Sequence, residues 1–332
     1  MARPTLQQIA RDAGVSIATV SRVARGVGQV SEETRRKVQA VIDKHNFRPS
    51  HAGRALVKRR HSALGIVFPG LSGPYYSEVI EGFEEAAVDA KVGVLIMGTH
   101  LLRHSVDLVL GMADRVDGIA VMGGVMSDRQ IRRLEKLGGP LVLLASKPMV
   151  GIPTVRTENT AAAARLTSHL LNDHGYRHVA FVGNPDGSPD ATYRWLGFRQ
   201  AHERAGLEPP AEPVRVGFQQ SDGFIAATRL LESGDLPRAL VCVNDETALG
   251  VVVALLDRGL RVPHDVAVTG FDDIPMAGLM ASGLTTVRQP MRALGRETAR
   301  LLLAHVEGQV DPATDRVLET ELVIRGSCGC GE

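Results

Sequence analysis

Cysteine is scarce in this chain: Cys242, Cys328 and Cys330 are the only three among 332 residues. Three thiols so placed make neither a disulfide framework nor a four-ligand zinc site. The Cys-Gly-Cys near the end could bind metal or oxidise, but it reads first as part of a frayed terminal segment. Long apolar runs are missing as well. No stretch of about 18 uncharged apolar residues occurs, so no membrane span is expected. The opening MARPTLQQIARDAG lacks the apolar segment of a signal peptide, and the cytoplasm is the expected location.

Catalytic signatures are also lacking. No Gly-x-Gly-x-x-Gly or P-loop is there to cradle phosphates, and no Gly-x-Ser-x-Gly elbow to present a nucleophile. His100 and His104 share the i, i+4 spacing of a metal pair, but without an HExxH pattern they read as solvated. Neither catalysis, nor a cofactor, nor a metal is expected.

What the chain does have is length and an uneven charge. At 332 residues it exceeds one typical domain, and 44% hydrophobic residues suffice for sizeable cores. The net charge of +1 conceals a division. Residues 1–61 hold thirteen Lys or Arg against four Asp or Glu, a net of +9, and the remainder carries −8. A basic segment neutralises phosphates, whereas an acidic body is repelled by them. The head is expected to bind nucleic acid and the body to do something else.

The head is patterned around Thr5–Gly26, TLQQIARDAGVSIATVSRVARG. Leu6, Ile9, Ala10 and Ala13 mark one face of a short helix, and Val15, Val20 and Val23 continue the apolar set. Gly14 permits a tight turn, and Ser16 is a natural N-cap for a second helix. Two short helices joined this way predict a helix-turn-helix, whose second helix enters the DNA major groove. Ser31-Glu-Glu-Thr34 opens a third helix to about His45, with Val38, Val41, Ile42 and Phe47 completing a small core. Pro49 and SHAGRALVKRR follow, short, basic and weakened by Gly53. This segment reads either as a charged linker or as a hinge that turns helical against DNA, with Leu56 as a minor-groove wedge.

From Ser62 the pattern changes. Apolar runs at residues 64–68, 92–97, 118–122, 140–145, 179–182, 239–243 and 266–271 predict strands. Amphipathic stretches at 76–91, 127–137, 160–174, 195–205, 223–232 and 247–258 predict the helices between them. Uninterrupted apolar strands alternating with helices predict parallel sheets covered on both faces. So many units suggest two α/β subdomains. Two late strands, at 284–287 and 317–324, flank a helix over 290–307.

The head motif, SEETRRKVQAVIDKHNFRPS, the Gly82–Ala86 region, RVPHDVAVTGFDD, LTTVRQP and the late RLLLAH helix together resemble the LacI/GalR transcription regulators. The similarity runs from about residue 4 to 327. It implies an N-terminal all-α helix-turn-helix head, residues 1–48, and a hinge helix or linker, 49–61. It also implies an α/β periplasmic-binding-protein-like core of two parallel-sheet subdomains, 62–332. Three crossovers would divide that core into 62–158 with 288–316, and 159–287 with 317–332.

The resemblance also assigns residues. Ile17, Ala18 and Arg22 would face base edges. Arg22 can pair bidentately with guanine, worth about 1–3 kcal/mol of discrimination, and Ile17 and Ala18 can touch thymine methyls at most. Thr5, Ser16, Thr19, Ser21, Ser31 and Arg54 would serve phosphate and backbone contacts, which position without specifying. Leu56 matches the family's operator-centre leucine, and Gly53 stands where alanine is usual. For an effector the resemblance points to Arg194, Asn244, Asp245 and Asp272, with Tyr75, Tyr76 and Phe218 available to pack on a sugar face. All are expected in loops at the carboxyl ends of strands, where open α/β sheets bind ligands. One departure stands out: Ser146-Lys147-Pro148 replaces a common Asp-Arg-Pro, so Lys147 would put a cation where an acceptor is usual. A neutral sugar, a sugar acid, a phosphorylated sugar and a nucleobase-like ligand all remain open.

The expected protein is an effector-controlled repressor acting as a homodimer on a pseudo-palindromic double-stranded operator. No heptad segment follows the core, so no tetramerisation arm is expected. A corepressor-dependent or activating regulator differs from this only in the sign of its response. A solute-binding protein or enzyme with an accessory head is disfavoured by the missing signal and catalytic motifs.

Overall fold

The computed structural model describes residues 4–47, 61–102 and 104–331. The expected hinge, with Gly53, Arg54 and Leu56, lies outside the described residues except for His61. The chain divides into two compact units at Ser62/Ala63.

In the head, α1 (Leu6–Ala13), α2 (Ile17–Arg25) and α3 (Glu32–Lys44) each begin at a capping hydroxyl. Thr5 accepts from the Gln8 N–H at 3.3 Å, Ser16 from Thr19 at 3.2 Å and Ser31 from Thr34 at 3.3 Å. Each bond satisfies one N–H that the helix cannot. Gly14, at φ 63°, closes α1 in the left-handed region. Ile9, Ala10, Ala13, Val20, Val23, Val38, Ile42 and Phe47 form the head's core. His45 meets Asp12 at 2.8 Å and ties the end of α3 to α1.

The core unit starts with β1 (Ala63–Phe68), α4 (Pro74–Asp89), β2 (Gly93–Gly98), α5 (Ser105–Ala113), β3 (Gly118–Met122), α6 (Asp128–Glu135), β4 (Leu141–Leu144) and β5 (Thr154–Thr157). It continues through α7 (Asn159–Ser168), β6 (Val179–Val182), α8 (Pro189–Arg204), α9 (Gln220–Ser233), β7 (Ala239–Cys242), α10 (Asp245–Asp257) and β8 (Ala267–Thr269). Then come α11 (Pro275–Leu279), β9 (Thr286–Arg288), α12 (Met291–Val306), β10 (Asp315–Leu318) and β11 (Glu321–Val323).

One six-stranded sheet runs in the order β10-β5-β4-β3-β1-β2, parallel throughout. A second holds β6-β7-β8, and β9 and β11 pair antiparallel. Every residue of β1, β3, β4 and β7 is buried, as two-sided helical cover requires.

The chain passes between the two lobes three times: after β5, after β9 and between β10 and β11. Helix α12 returns to the first lobe, where it packs on α4 through reciprocal glycines. A Cβ on Gly82 would sit 1.9 Å from the Arg292 carbonyl oxygen, and one on Gly295 1.9 Å from that of Val79. Only bare Cα atoms allow the two backbones that close.

Three expectations need correction, and two elements were not expected at all. The late strand at 317–324 is two short strands in different sheets, β10 and β11, because the chain crosses lobes at Glu319-Thr320. Helix α8 begins at Pro189, six residues before Trp195, because the Ser188 hydroxyl caps it and proline suits the first turn. The short polar strand β5 and the helix α5, mostly apolar apart from Ser105 and Asp107, carry no clear period and escape a pattern-based reading. Finally, the tail is not frayed. Cys328 is fully buried, and the Ser327 N–H donates to the Gly283 carbonyl at 3.0 Å.

Candidate functional sites: a helix face and a cleft

On α2, Val20 and Val23 point into the head's core, which leaves the opposite arc to solvent. At about 100° per residue, Ile17, Ser21, Ala18 and Arg22 share about 140° of the helix circumference. Ile17, Ala18 and Arg22 are exposed, and Thr19 and Ser21 are half-buried beside them. Thr5, Ser16 and Ser31 are also exposed, at the N-termini of the three helices. Helix N-termini favour anions, so these caps place N–H groups and hydroxyls where phosphates are best held. The arrangement can read base edges through Arg22 and grip a backbone around it.

In the core unit a cavity of about 340 Å³ lies between the lobes, within the size range of small-ligand sites. Tyr75 and Tyr76 come from the first turn of α4, after β1, and Gly123 and Gly124 from the loop after β3. The second lobe supplies Ser188, Asp190 and Arg194 from α8, Phe218 and Gln219 before α9, Asn244 and Glu246 at the start of α10, and Asp272 after β8. These are carboxyl-end loops, as expected for this architecture. The lobes meet closely at the rim: a Cβ on Gly73 would lie 2.6 Å from Glu246 Oε2.

Arg194 organises the cavity floor. It is only 6% exposed. Its Nε donates to Asn159 Oδ1 at 2.8 Å, its Nη1 to the Val243 carbonyl at 2.6 Å, and its guanidinium lies 3.8 Å from the centre of the Phe271 ring. Its Nη2 lies 3.6 Å from Asp272 and 3.9 Å from Asp190. Burial pushes the Asp272 carboxyl up to about 8 and Asp190 up to about 6, in each case against the pull of Arg194. Asp272 has φ 123°, an unusual backbone for a residue with a side chain. It is pinned there by Asp272 N–H to the Val287 carbonyl and by Gln289 N–H to the Asp272 carbonyl.

The carboxyls are wired to the crossovers. Gln289 Nε2 donates to Asp272 Oδ1 at 2.6 Å, and the Thr157 hydroxyl donates to Gln289 Oε1 at 2.6 Å. Asn159 Nδ2 reaches both Thr157 and Asp190. Thr157 ends β5 and Gln289 follows β9, so one buried network joins the ligand cavity to two of the three connections between lobes. By contrast, the Tyr75 hydroxyl is buried on the cavity wall without a hydrogen-bond partner among the described residues. A buried unpaired hydroxyl is costly unless a ligand group completes it.

Six of the expected effector residues therefore line one cavity: Tyr75, Tyr76, Arg194, Phe218, Asn244 and Asp272. Two do not. Lys147 lies outside the lining and meets Asp128 at 2.8 Å on the exposed surface. Asp245 is fully buried beneath the site, its carboxylate accepting from the Ile274 N–H and the Thr286 hydroxyl, so it is a strut. Asn244 is also partly structural, since its side chain caps α10 and donates to the Phe218 carbonyl. Asp190, Ser188, Gln219 and Glu246 were missed, as was His100, which lines the cavity rather than standing apart. The signal for Asp190 was present: it lies one turn before Arg194, close enough to share a helix face.

A DNA-reading helix-turn-helix and a two-lobed, ligand-sized cleft define a ligand-responsive DNA-binding protein. Residues 5–50 match the model of the bacterial regulatory proteins of the lacI family, and residues 167–328 that of a periplasmic binding protein-like domain. Catabolite control protein A of Priestia megaterium is 32% identical over 91% of this chain and 92% of its own. The Lac repressor dimer bound to operator and the anti-inducer ONPF matches with a TM-score of 0.85 at 26% identity, covering 98% of each chain. The transcriptional regulator CelR in complex with cellobiose matches at 0.73 and 28%, covering 98% of this chain and 100% of that one. The chain belongs to the LacI family: it is a sequence-specific DNA-binding transcription regulator with an effector-binding core. Among the described residues no helix is long and apolar enough to cross a membrane.

Proposed function

We propose that the protein is a repressor, acting as a homodimer in the cytoplasm, whose operator affinity is set by a neutral sugar bound in the cleft. It is read as a binding protein and not as an enzyme, in keeping with relatives that are regulators.

The charge balance of the cavity carries the choice of ligand. Among the described lining residues Arg194 is the one Lys or Arg, and three acids, Asp190, Glu246 and Asp272, line the cavity with it. Its Nε and Nη1 already donate to Asn159 and the Val243 carbonyl, and its Nη2 stands 3.6 Å from Asp272 and 3.9 Å from Asp190. Among the described lining residues a sugar acid or sugar phosphate finds no Lys or Arg besides Arg194, and Lys147, paired with Asp128, supplies none. A neutral polyol finds carboxyl acceptors, the Tyr75 hydroxyl, and the Tyr76 and Phe218 rings for its apolar face. CelR binds cellobiose, which is in keeping with this choice.

A sugar hydroxyl donating to Asp272 alters the bond to Gln289, and so bears on the crossovers that set the angle between lobes. Only a difference in affinity between two lobe arrangements can shift their populations. Two-fold assembly is supported by apolar surface outside the cores. Leu95 and Ile96 are exposed on β2, at an open sheet edge, and Met276 and Leu279 are 52% and 74% exposed on α11.

The test is a panel of neutral sugars, sugar acids, sugar phosphates and nucleobases, read by thermal shift and by operator affinity. Neutral sugars are expected to raise the melting temperature and change operator affinity together. A response confined to the anionic ligands overturns the assignment.

A further inference from the structure

His169, His174, Cys328 and Cys330, outside both sites described above, bring four metal-ligating atoms within 4.8 Å of one another. They come from two places in the chain, a His-x4-His at the end of α7 and the Cys-Gly-Cys of the tail. His169 Nε2 lies 3.2 Å from His174 Nε2 and 3.4 Å from Cys328 Sγ. Cys330 Sγ lies 3.5 Å from His169 Nε2 and 3.3 Å from His174 Nε2. Zinc holds imidazole nitrogen at about 2.0–2.1 Å and thiolate at about 2.3 Å in a tetrahedron. Those bond lengths require N···N edges of about 3.3 Å and N···S edges of about 3.5 Å. Four of the six separations agree with these within about 0.2 Å, and the widest spread, 4.8 Å, closes by about 1 Å when an ion is held.

The backbone is shaped to bring the ligands together. Residues five apart on an α-helix point about 140° away from each other. Here His169–Asp173 is a wider π-turn, in which the His174 N–H donates to the His169 carbonyl, and the two rings come to 4.8 Å. Such turns mark functional positions more often than chance. Gly329, at φ 106°, reverses the chain between the cysteines, and a Cβ there would lie 3.1 Å from the Tyr176 hydroxyl oxygen. Tyr176 stacks on His174, and its hydroxyl donates to the Cys328 carbonyl at 2.9 Å.

The protonation pattern also suits a metal. The Asp173 carboxylate sits 2.7 Å from His169 Nδ1, so that nitrogen is the donor and Nε2 keeps its lone pair toward the cluster. A carboxylate behind an imidazole is the usual support of a metal-bound histidine. Two thiols and two imidazoles select zinc over oxygen-seeking magnesium or calcium. With all four positions supplied by protein, the site is structural and leaves no place for a substrate.

We propose that these four residues bind one zinc ion, which staples the C-terminal tail to the end of α7. Binding displaces the thiol protons, so affinity rises with pH. The experiment uses tag-free, full-length protein, reduced, stripped of metal and reloaded with Zn²⁺ or Co²⁺ alone. One equivalent per chain is expected. Co²⁺ should give the visible bands of a tetrahedral thiolate site, and Zn²⁺ should raise the melting temperature by several degrees. Asp173→Asn alters an exposed side chain and should weaken zinc binding about ten- to a hundredfold. The His174→Gln, Cys330→Ser double variant should retain less than a tenth of the metal and lose the thermal shift. The proposal is overturned if reduced wild-type protein binds no stoichiometric zinc, or if the double variant binds as the wild type does. An octahedral Co²⁺ spectrum overturns it too.

Discussion

The recognition helix and the cleft both rely on arginine, yet they hold it in opposite ways. Arg22 is exposed on a face whose other side is packed into the head's core. Arg194 is buried and bonded on several sides before any ligand arrives. An exposed arginine can be exchanged with little effect on the fold, so its role is visible in binding alone. A buried one is part of the scaffold, and removing it disturbs folding and recognition together. The contrast warns against reading every binding-site variant as a clean loss of contact.

The sharpest way to break the comparison is Arg194→Ala. It removes the cation beside the buried Asp190 together with the bonds to Asn159 and the Val243 carbonyl, and a loss of about 3–5 kcal/mol in denaturant unfolding near neutral pH is expected. Unchanged stability would mean that the floor of the cleft is not held as described. Arg22→Ala should leave the melting temperature unaltered and remove about 1–3 kcal/mol of discrimination at one base pair, read by competition between operator variants. Retained preference would displace Arg22 from the reading face.

Next comes the pH dependence. The folded Asp272 holds a proton up to about 8, whereas an ordinary aspartate loses it near 3.8. Between those values the folded state binds more protons than the unfolded state, so this group makes stability fall as pH rises. Asp272→Asn should flatten that fall, by up to about 1.4 kcal/mol per pH unit, in unfolding measured from pH 4 to 8. An identical slope in the variant would show that Asp272 does not hold the proton. The smallest effect is that of Tyr75→Phe, which removes an unpartnered hydroxyl. Stability should hold or rise by up to about 1 kcal/mol while ligand affinity falls several-fold in calorimetry. Unchanged ligand affinity would show that the hydroxyl faces no ligand group.

The same contrast explains what was legible in the sequence. The head is local: Leu6, Ile9, Ala13, Val20 and Val23 keep a helical period, and Ser16 and Gly14 mark the turn within twenty-two residues. The strands β1, β3 and β4 showed as unbroken apolar runs because both faces are covered. The cleft is not local. Thr157, Asp190, Asp272 and Gln289 come together only through the crossovers, and nothing near Asp245 distinguished a buried strut from its cleft-lining neighbours. The tail cluster was hidden for the same reason. Cys328 and His169 are 159 residues apart, and the cysteines alone were too few for a site.

In the proposed function, occupancy of the cleft changes the grip of the head on DNA. The most direct measurement is the affinity of full-length protein for a palindromic operator selected from the source genome, with and without a saturating cleft ligand. An affinity change of about five- to 150-fold is expected, with the reciprocal change in ligand affinity when operator is present. A ligand that fills the cleft, as shown by its thermal shift, yet leaves operator affinity the same would contradict it.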